Sequence, residues 1–322
     1  MRELDLRGRA MKLLWNRLFT SLTVVVMVGS APIGAQVPAD QPRPTFRSAA
    51  DLVSIQASVR DKQGRPVKGL TRTDFEVLDN GERRPVVALR SDRESPLSLA
   101  VLVDMSGSMS IGPRIAMARK VFLSLLSQLH DGQDELAVFT FDSTLHERQP
   151  FTKNLTALGG TLDDFQPFGS TSLYDATAAT ARRLADRSAT HKAIVVLTDG
   201  IDTTSKLTAT EVSGLASSID VPVYIVATVQ SVDQMALVEG TSRPGVSPGA
   251  DIRDLAEWTG GQFVFAANFL QTVVVASTLV AELRQQYVLA IEAANIPEWR
   301  RLQVRVRQPS ATVKARSGYF GG

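Results

Sequence analysis

Three short segments of this 322-residue chain carry side chains able to hold an ion. They are Asp104-Met105-Ser106-Gly107-Ser108-Met109, Gly169-Ser170-Thr171-Ser172-Leu173-Tyr174-Asp175 and Thr198-Asp199-Gly200-Ile201-Asp202. Every donor among Asp104, Ser106, Ser108, Thr171 and Asp199 is an oxygen. Oxygen donors with few charges suit a hard cation, Mg2+ first with Mn2+ or Ca2+ as alternatives, rather than zinc. Two carboxylates balance a divalent charge, and three hydroxyls add ligands without excess negative charge. The cation then stays electrophilic and has one position that water fills at rest. A carboxylate from another molecule could replace that water. Each segment alone reads as a turn rich in small polar residues; the combination carries the reading.

Catalytic chemistry finds less support. The absence of cysteine excludes thiolate zinc sites, cysteine nucleophiles, iron–sulfur clusters and a lipoprotein cysteine anchor. His130, His146 and His191 share no metal-ligand spacing. Ser106 has neither the Gly-x-Ser-x-Gly elbow nor a motif-linked histidine. Asp104-Met105-Ser106-Gly107 has one residue too many for the Asp-Thr/Ser-Gly signature of acid proteases, and no glycine-rich phosphate loop with a lysine occurs. Asp142, Asp175 and Asp202 lie near the three segments in sequence. Asp142 and Asp175 read equally as groups that orient ligands and as solvated acids, while Asp202 reads as a solvated acid.

The elements that must position these residues form an alternating series. Short apolar runs at Leu99–Val103, Leu136–Phe139, Ala193–Leu197, Val221–Ala227 and Phe263–Phe265 are separated by helical stretches. Ile115, Ala118, Phe122, Leu125, Leu126 and Leu129 follow amphipathic spacing, Ser172 to Arg187 is Ala-rich, and Leu270 to Gln286 marks a last long helix. Continuous apolar strands between helices predict a doubly wound, mostly parallel α/β sheet over residues 96–285, covered on both faces. Ligands of such sheets bind at the carboxyl ends of strands, where Asp104 and Asp199 fall.

Both flanks show strand alternation. In residues 51–95 the strands are Leu52–Val59, Phe75–Leu78 and Val86–Leu89, with a strong turn at Asp79-Asn80-Gly81-Glu82. In residues 286–322 they are Tyr287–Ile291, Leu302–Val306 and Thr312–Ala315. Three short strands make a marginal sheet alone. The flanks are therefore expected to pair into one small β-sandwich with the α/β domain inserted between them; two separate small sheets are the alternative.

Residues 1–35 read as an export signal: a basic start around Lys12 and Arg17, an apolar stretch from Leu18 to Gly29, and a small-residue end with cleavage after Ala35. The apolar run is shorter than the about 20 residues needed to span a bilayer. An uncleaved anchor, the alternative, would be the only membrane contact. The expected location is the periplasm or the cell exterior. Residues 36–50 read as a linker. The chain is +2 overall, but residues 1–35 hold five basic and two acidic side chains, so the remainder is nearly neutral and a nucleic-acid partner loses its electrostatic basis.

The segment Asp104-Met105-Ser106-Gly107-Ser108, the Thr171 loop and Thr198-Asp199-Gly200 resemble the metal-ion-dependent adhesion site (MIDAS) of von Willebrand factor A domains. The resemblance implies direct coordination by Ser106 and Ser108, a direct or water-mediated contact from Thr171, and Asp104 and Asp199 acting mainly through water or the hydroxyls. It implies a non-enzymatic module that binds a protein partner's acidic side chain through the cation. Val67-Lys68-Gly69-Leu70-Thr71-Arg72-Thr73-Asp74-Phe75-Glu76-Val77 and Ala315-Arg316-Ser317-Gly318-Tyr319 resemble exported acidobacterial VWFA-related proteins. Two other readings stand beside the adhesion module: a scaffold with a stabilising metal, and a metal-assisted hydrolase using Asp142 or Asp175 as base. Residues 231–250 form a long loop expected on the metal face, read either as shaping partner choice or as a variable insert. By analogy with the family, the last helix is expected to shift on binding and to be felt by the sandwich.

Overall fold

The computed structural model describes residues 52–91, 95–189, 191–229, 249–294 and 296–321, with the side chains of 249–251 excepted. The export signal, the linker and most of the 231–250 loop lie outside the described residues. The N-terminal flank forms β1 (Leu52–Arg60), β2 (Phe75–Asp79), β3 (Glu82–Arg84) and β4 (Ala88–Arg90). Strands β2 and β3 make the expected hairpin: Asp79 pairs with Glu82, and Asn80 and Gly81 take φ of 50° and 87°, the left-handed pair that matches strand twist. The third predicted strand shifts from Val86–Leu89 to Ala88–Arg90, and β3 is an addition that its three charged residues concealed.

The central sheet consists of β5 (Leu97–Asp104), β6 (Glu135–Phe141), β7 (Leu145–Thr152), β8 (His191–Thr198), β9 (Val223–Ala227) and β10 (Phe263–Phe265). Their order is β10-β9-β8-β5-β6-β7, parallel except for β7, which runs antiparallel to β6 at one edge. All eight residues of β5 and all seven of β6 are buried, as expected of strands covered on both faces. Sequence analysis did not find β7, whose only large apolar side chains are Leu145 and Phe151.

The helices are α1 (Arg114–Leu126), α2 (Leu173–Ala185), α3 (Ala209–Ser218), α4 (Gly249–Trp258) and α5 (Phe269–Arg284). Alternate residues of β5 feed two cores. Leu99, Val101 and Val103 join Val121, Phe122 and Leu125 of α1 and Ala276, Leu279 and Leu283 of α5. Ala100 and Leu102 join residues of α2, α3 and α4. Neither α3 nor α4 was predicted; α4 takes up the end of the expected 231–250 loop. Thr208 and Glu211 form a capping box that starts α3, and the Asn268 side chain accepts from the N–H groups of Leu270 and Gln271 to start α5. Among the described residues no helix is long and apolar enough to cross a membrane.

The chain then returns as β11 (Tyr287–Glu292), β12 (Trp299–Val306), β13 (Thr312–Ala315) and β14 (Gly318–Phe320). Two four-stranded antiparallel sheets result, β13-β1-β11-β4 and β14-β12-β2-β3, and each mixes strands from both flanks. Ile55, Val59, Phe75 and Val77 pack with Tyr287, Leu289, Ile291 and Leu302 in one core. The paired sandwich is thus found, with four strands from each flank rather than three. Helix α5 leads directly into β11, and its buried Glu282 pairs with Arg60 of β1 and accepts from the Tyr224 hydroxyl at 3.4 Å.

Candidate metal centre

Strands β5 and β8 are neighbours, with Val103 beside Leu197, and the chain leaves them in opposite directions, toward β6 and β9. This reversal opens a crevice at their carboxyl ends. Asp104 ends β5 and Asp199 follows β8, so both carboxylates reach the crevice from central, rigid strands. Both are buried. The Asp104 carboxylate accepts from the Ser106 N–H at 2.8 Å and from the Thr198 hydroxyl at 2.6 Å, which ties the two strand ends together. Burial, reinforced by the neighbouring Asp199 charge, pushes the Asp104 carboxyl up to about 7; the bonds from Ser106 and Thr198 offset this only in part.

The turn after Asp104 presents two hydroxyls together. Ser106 Oγ and Ser108 Oγ lie 3.1 Å apart, with Ser106 buried and Ser108 half-buried. A short 3-10 turn, Gly107–Ser110, holds this spacing. The second loop rests on the first: the Gly107 N–H donates to the Gly169 carbonyl at 2.9 Å, and the Phe168 N–H to the Met105 carbonyl at 2.7 Å. Gly169 has φ +94°, a conformation that glycine adopts without strain. Thr171, two residues on, is buried; its N–H donates to the Thr203 hydroxyl, and its carbonyl accepts from the N–H groups of Thr203 and Thr204. The three segments are therefore joined through backbone and hydroxyl bonds.

Two residues near the centre have roles that the sequence concealed. Arg114, at the start of α1, donates to Asp199 Oδ2 at 2.9 Å and to the Ser108 carbonyl at 3.1 Å. A guanidinium at a helix N-terminus opposes the helix dipole, so the ion pair with Asp199 offsets an unfavourable position. Asp202 is buried rather than solvated. Its carboxylate accepts from the N–H groups of Leu173 and Tyr174 at 2.7 and 3.3 Å, so it caps α2 from a different loop. Asp175 returns the arrangement by accepting from the N–H groups of Lys206 and Leu207 at 3.0 and 2.9 Å. Asp142 serves its own turn: it accepts from the Thr144 N–H at 2.8 Å and from the hydroxyls of Thr144 and Ser143. Burial raises the Asp142 carboxyl, but these bonds more than offset it and hold the group below its ordinary value.

The donor set fits a hard divalent cation. Asp199 Oδ1 is buried and has no hydrogen-bond partner among the described residues, an expensive condition for a carboxylate oxygen in isolation. Two hydroxyls with free lone pairs and a second buried carboxylate complete an all-oxygen set. Among the described residues no three His, Asp or Glu side chains converge, so an imidazole- or carboxylate-rich centre is not built. Two histidines stay apart from the crevice, since His191 begins β8 at the opposite end of the sheet and the His130 N–H donates to Asp134, while His146 contacts Thr144 and lies 3.7 Å from the Asp142 carboxylate.

Comparison with curated proteins gives no match. Among solved structures, the conserved hypothetical protein BatB from Bacteroides thetaiotaomicron is 18% identical, with a TM-score of 0.45 over 58% of this chain and 98% of its own. An aerotolerance-related membrane protein from Bacteroides fragilis is 16% identical, with a TM-score of 0.47 over 58% of this chain and 99% of its own. Proximal thread matrix protein 1 from the mussel byssus, in a structure with a zinc-occupied MIDAS motif, is 14% identical, with a TM-score of 0.48 over 70% of this chain and 50% of its own. Residues 99–201, the span that contains Asp104, Ser106, Ser108, Thr171 and Asp199, match the von Willebrand factor type A domain.

Proposed function

We propose that this protein is an exported, non-enzymatic binding module. Asp104, Ser106, Ser108, Thr171 and Asp199 hold a divalent cation, Mg2+ in the first instance, and the cation takes an acidic side chain of a partner protein at its open position. Residues 1–35 direct export and are removed after Ala35. The observation that carries the metal reading is Asp199 Oδ1, buried without a hydrogen-bond partner among the described residues, beside hydroxyls 3.1 Å apart. Binding rather than hydrolysis is supported by the state of the two acids read as possible bases. Asp175 is engaged by two backbone N–H groups, and Asp142 is held below its ordinary value, which makes it a poor general base.

A scaffold whose cation serves stability alone is the second reading, favoured by the complete burial of Asp104. Thermal unfolding with chelator, then with titrated Mg2+, Mn2+ and Ca2+, tests the metal centre beside Asp104→Ala. A site on the folded state should add about 2.7 kcal/mol at a hundredfold excess over its dissociation constant. The expected result is a metal-dependent rise that Asp104→Ala removes; a melting temperature that ignores all three cations contradicts it. If the cation stabilises the fold yet acidic peptides never bind in its presence, the scaffold reading takes over.

A further inference from the structure

Two stretches of the candidate centre carry no charged side chain and present two apolar side chains to solvent. Residues 105–113 and 165–174 contain no Asp, Glu, Lys or Arg. Within them Ile111 is 59% exposed and Phe168 84% exposed. Both sit on fixed backbone. The Phe168 N–H donates to the Met105 carbonyl at 2.7 Å, and the Ile111 N–H to the Ser108 carbonyl at 3.1 Å. Both anchors belong to the 105–108 segment that carries Ser106 and Ser108, so the phenyl and the butyl groups are tied to the segment that would hold the cation. An apolar side chain left in water beside a polar centre gains by being covered.

Two of the charges that lie close are already engaged. Arg114 is largely buried against Asp199. The Asp142 side chain, next to Gly169, is bonded to Thr144 and Ser143 and would repel a second acid on a partner. Beside Gly169, a second acid on a partner would therefore meet repulsion from Asp142, with Arg114 already paired to Asp199.

We propose that the centre recognises a single acidic side chain set among aromatic or aliphatic neighbours: the carboxylate meets the cation and the neighbours pack on Phe168 and Ile111. This rests on the metal reading above. The test is selection of a randomised phage-displayed peptide library on the protein in Mn2+, with elution by chelator. The expected peptides carry one Asp or Glu next to Phe, Tyr, Trp, Leu or Ile. Phe168→Ser should weaken the best of them at least tenfold while calorimetric Mn2+ affinity stays unchanged, and Ile111→Ser should act in the same direction. Chelator-sensitive peptides rich in several acids, or flanked by polar residues, would overturn this specificity and leave the metal grip standing, as would unchanged peptide affinity in both variants. Failure to recover any chelator-sensitive peptide would overturn the grip and the specificity together.

Discussion

Arg114 Nη1 lies 2.9 Å from Asp199 Oδ2, and the same nitrogen reaches the Ser108 carbonyl at 3.1 Å. One guanidinium thus bridges the first and third segments of the candidate centre and supplies positive charge to a buried carboxylate. Arg114→Gln should have two opposed effects. Without metal, the fold should lose about 3 kcal/mol, because Asp199 is left as an unpaired buried charge. With metal, affinity should rise by roughly tenfold or more, since like charges a few ångströms apart repel by more than about 1.4 kcal/mol even at an effective dielectric constant near 20. Urea unfolding in chelator and a calorimetric Mn2+ titration read the two effects separately. Equal or weaker Mn2+ binding by the variant would show that Arg114 organises the centre rather than opposing the cation.

Asp202 supports the Thr171 loop through α2. Its carboxylate accepts from the N–H groups of Leu173 and Tyr174, next to the Ser172–Thr171 backbone. Asp202→Ala should cost about 1–2 kcal/mol of stability, the usual price of a lost helix cap. It should also lower Mn2+ affinity several-fold by loosening Thr171, and Asp202→Asn should recover part of both. Unchanged metal affinity at reduced stability would confine Asp202 to capping.

The raised Asp104 carboxyl gives the metal-free protein a defined pH response. Its value in the fold, about 7, exceeds the ordinary 3.8, so the folded state binds the extra proton between these limits. Its contribution to stability is therefore full below about 4 and is lost as pH rises through 7. A bound cation stabilises the charged form and cancels this loss. The gap in melting temperature between Mg2+ and chelator should widen from pH 5.5 to 8, and Asp104→Asn should flatten the chelator curve. A gap that does not change with pH would contradict the assignment.

The sandwich and the α/β part meet through Arg60 and Glu282, backed by the Tyr224 hydroxyl, which also accepts from Gln286 Nε2 at 3.1 Å. Arg60→Ala leaves a buried carboxylate without its cation and should destabilise by about 3 kcal/mol. Because α5 runs directly into β11, both parts should still unfold in one transition in the wild-type protein. Tryptophan fluorescence and far-UV circular dichroism with separate midpoints would show instead that the sandwich unfolds on its own.

Much of the architecture is legible in local sequence. The apolar runs ending at Val103 and Leu197 announce buried parallel strands, and the residues following them mark the crevice. Asn80-Gly81 specifies its hairpin because few other residues adopt both φ values cheaply. Helices α3 and α4 escape notice because each is only ten residues long, and β7 because an edge strand carries polar residues on both faces. The Arg114–Asp199 pair joins residues 85 positions apart, and Asp202 caps a helix that begins 29 residues before it in the chain. No local pattern encodes such partners; they follow only from which strand ends the topology brings together.

Calorimetric titration of Mn2+ into chelator-treated protein, run beside Asp104→Ala and Ser108→Ala, tests the metal centre most directly. The predicted result is one saturable site per chain that both variants lose while keeping a folded circular dichroism spectrum. Absence of binding by the wild-type protein, or full binding by both variants, would contradict a cation held by Asp104, Ser106, Ser108, Thr171 and Asp199.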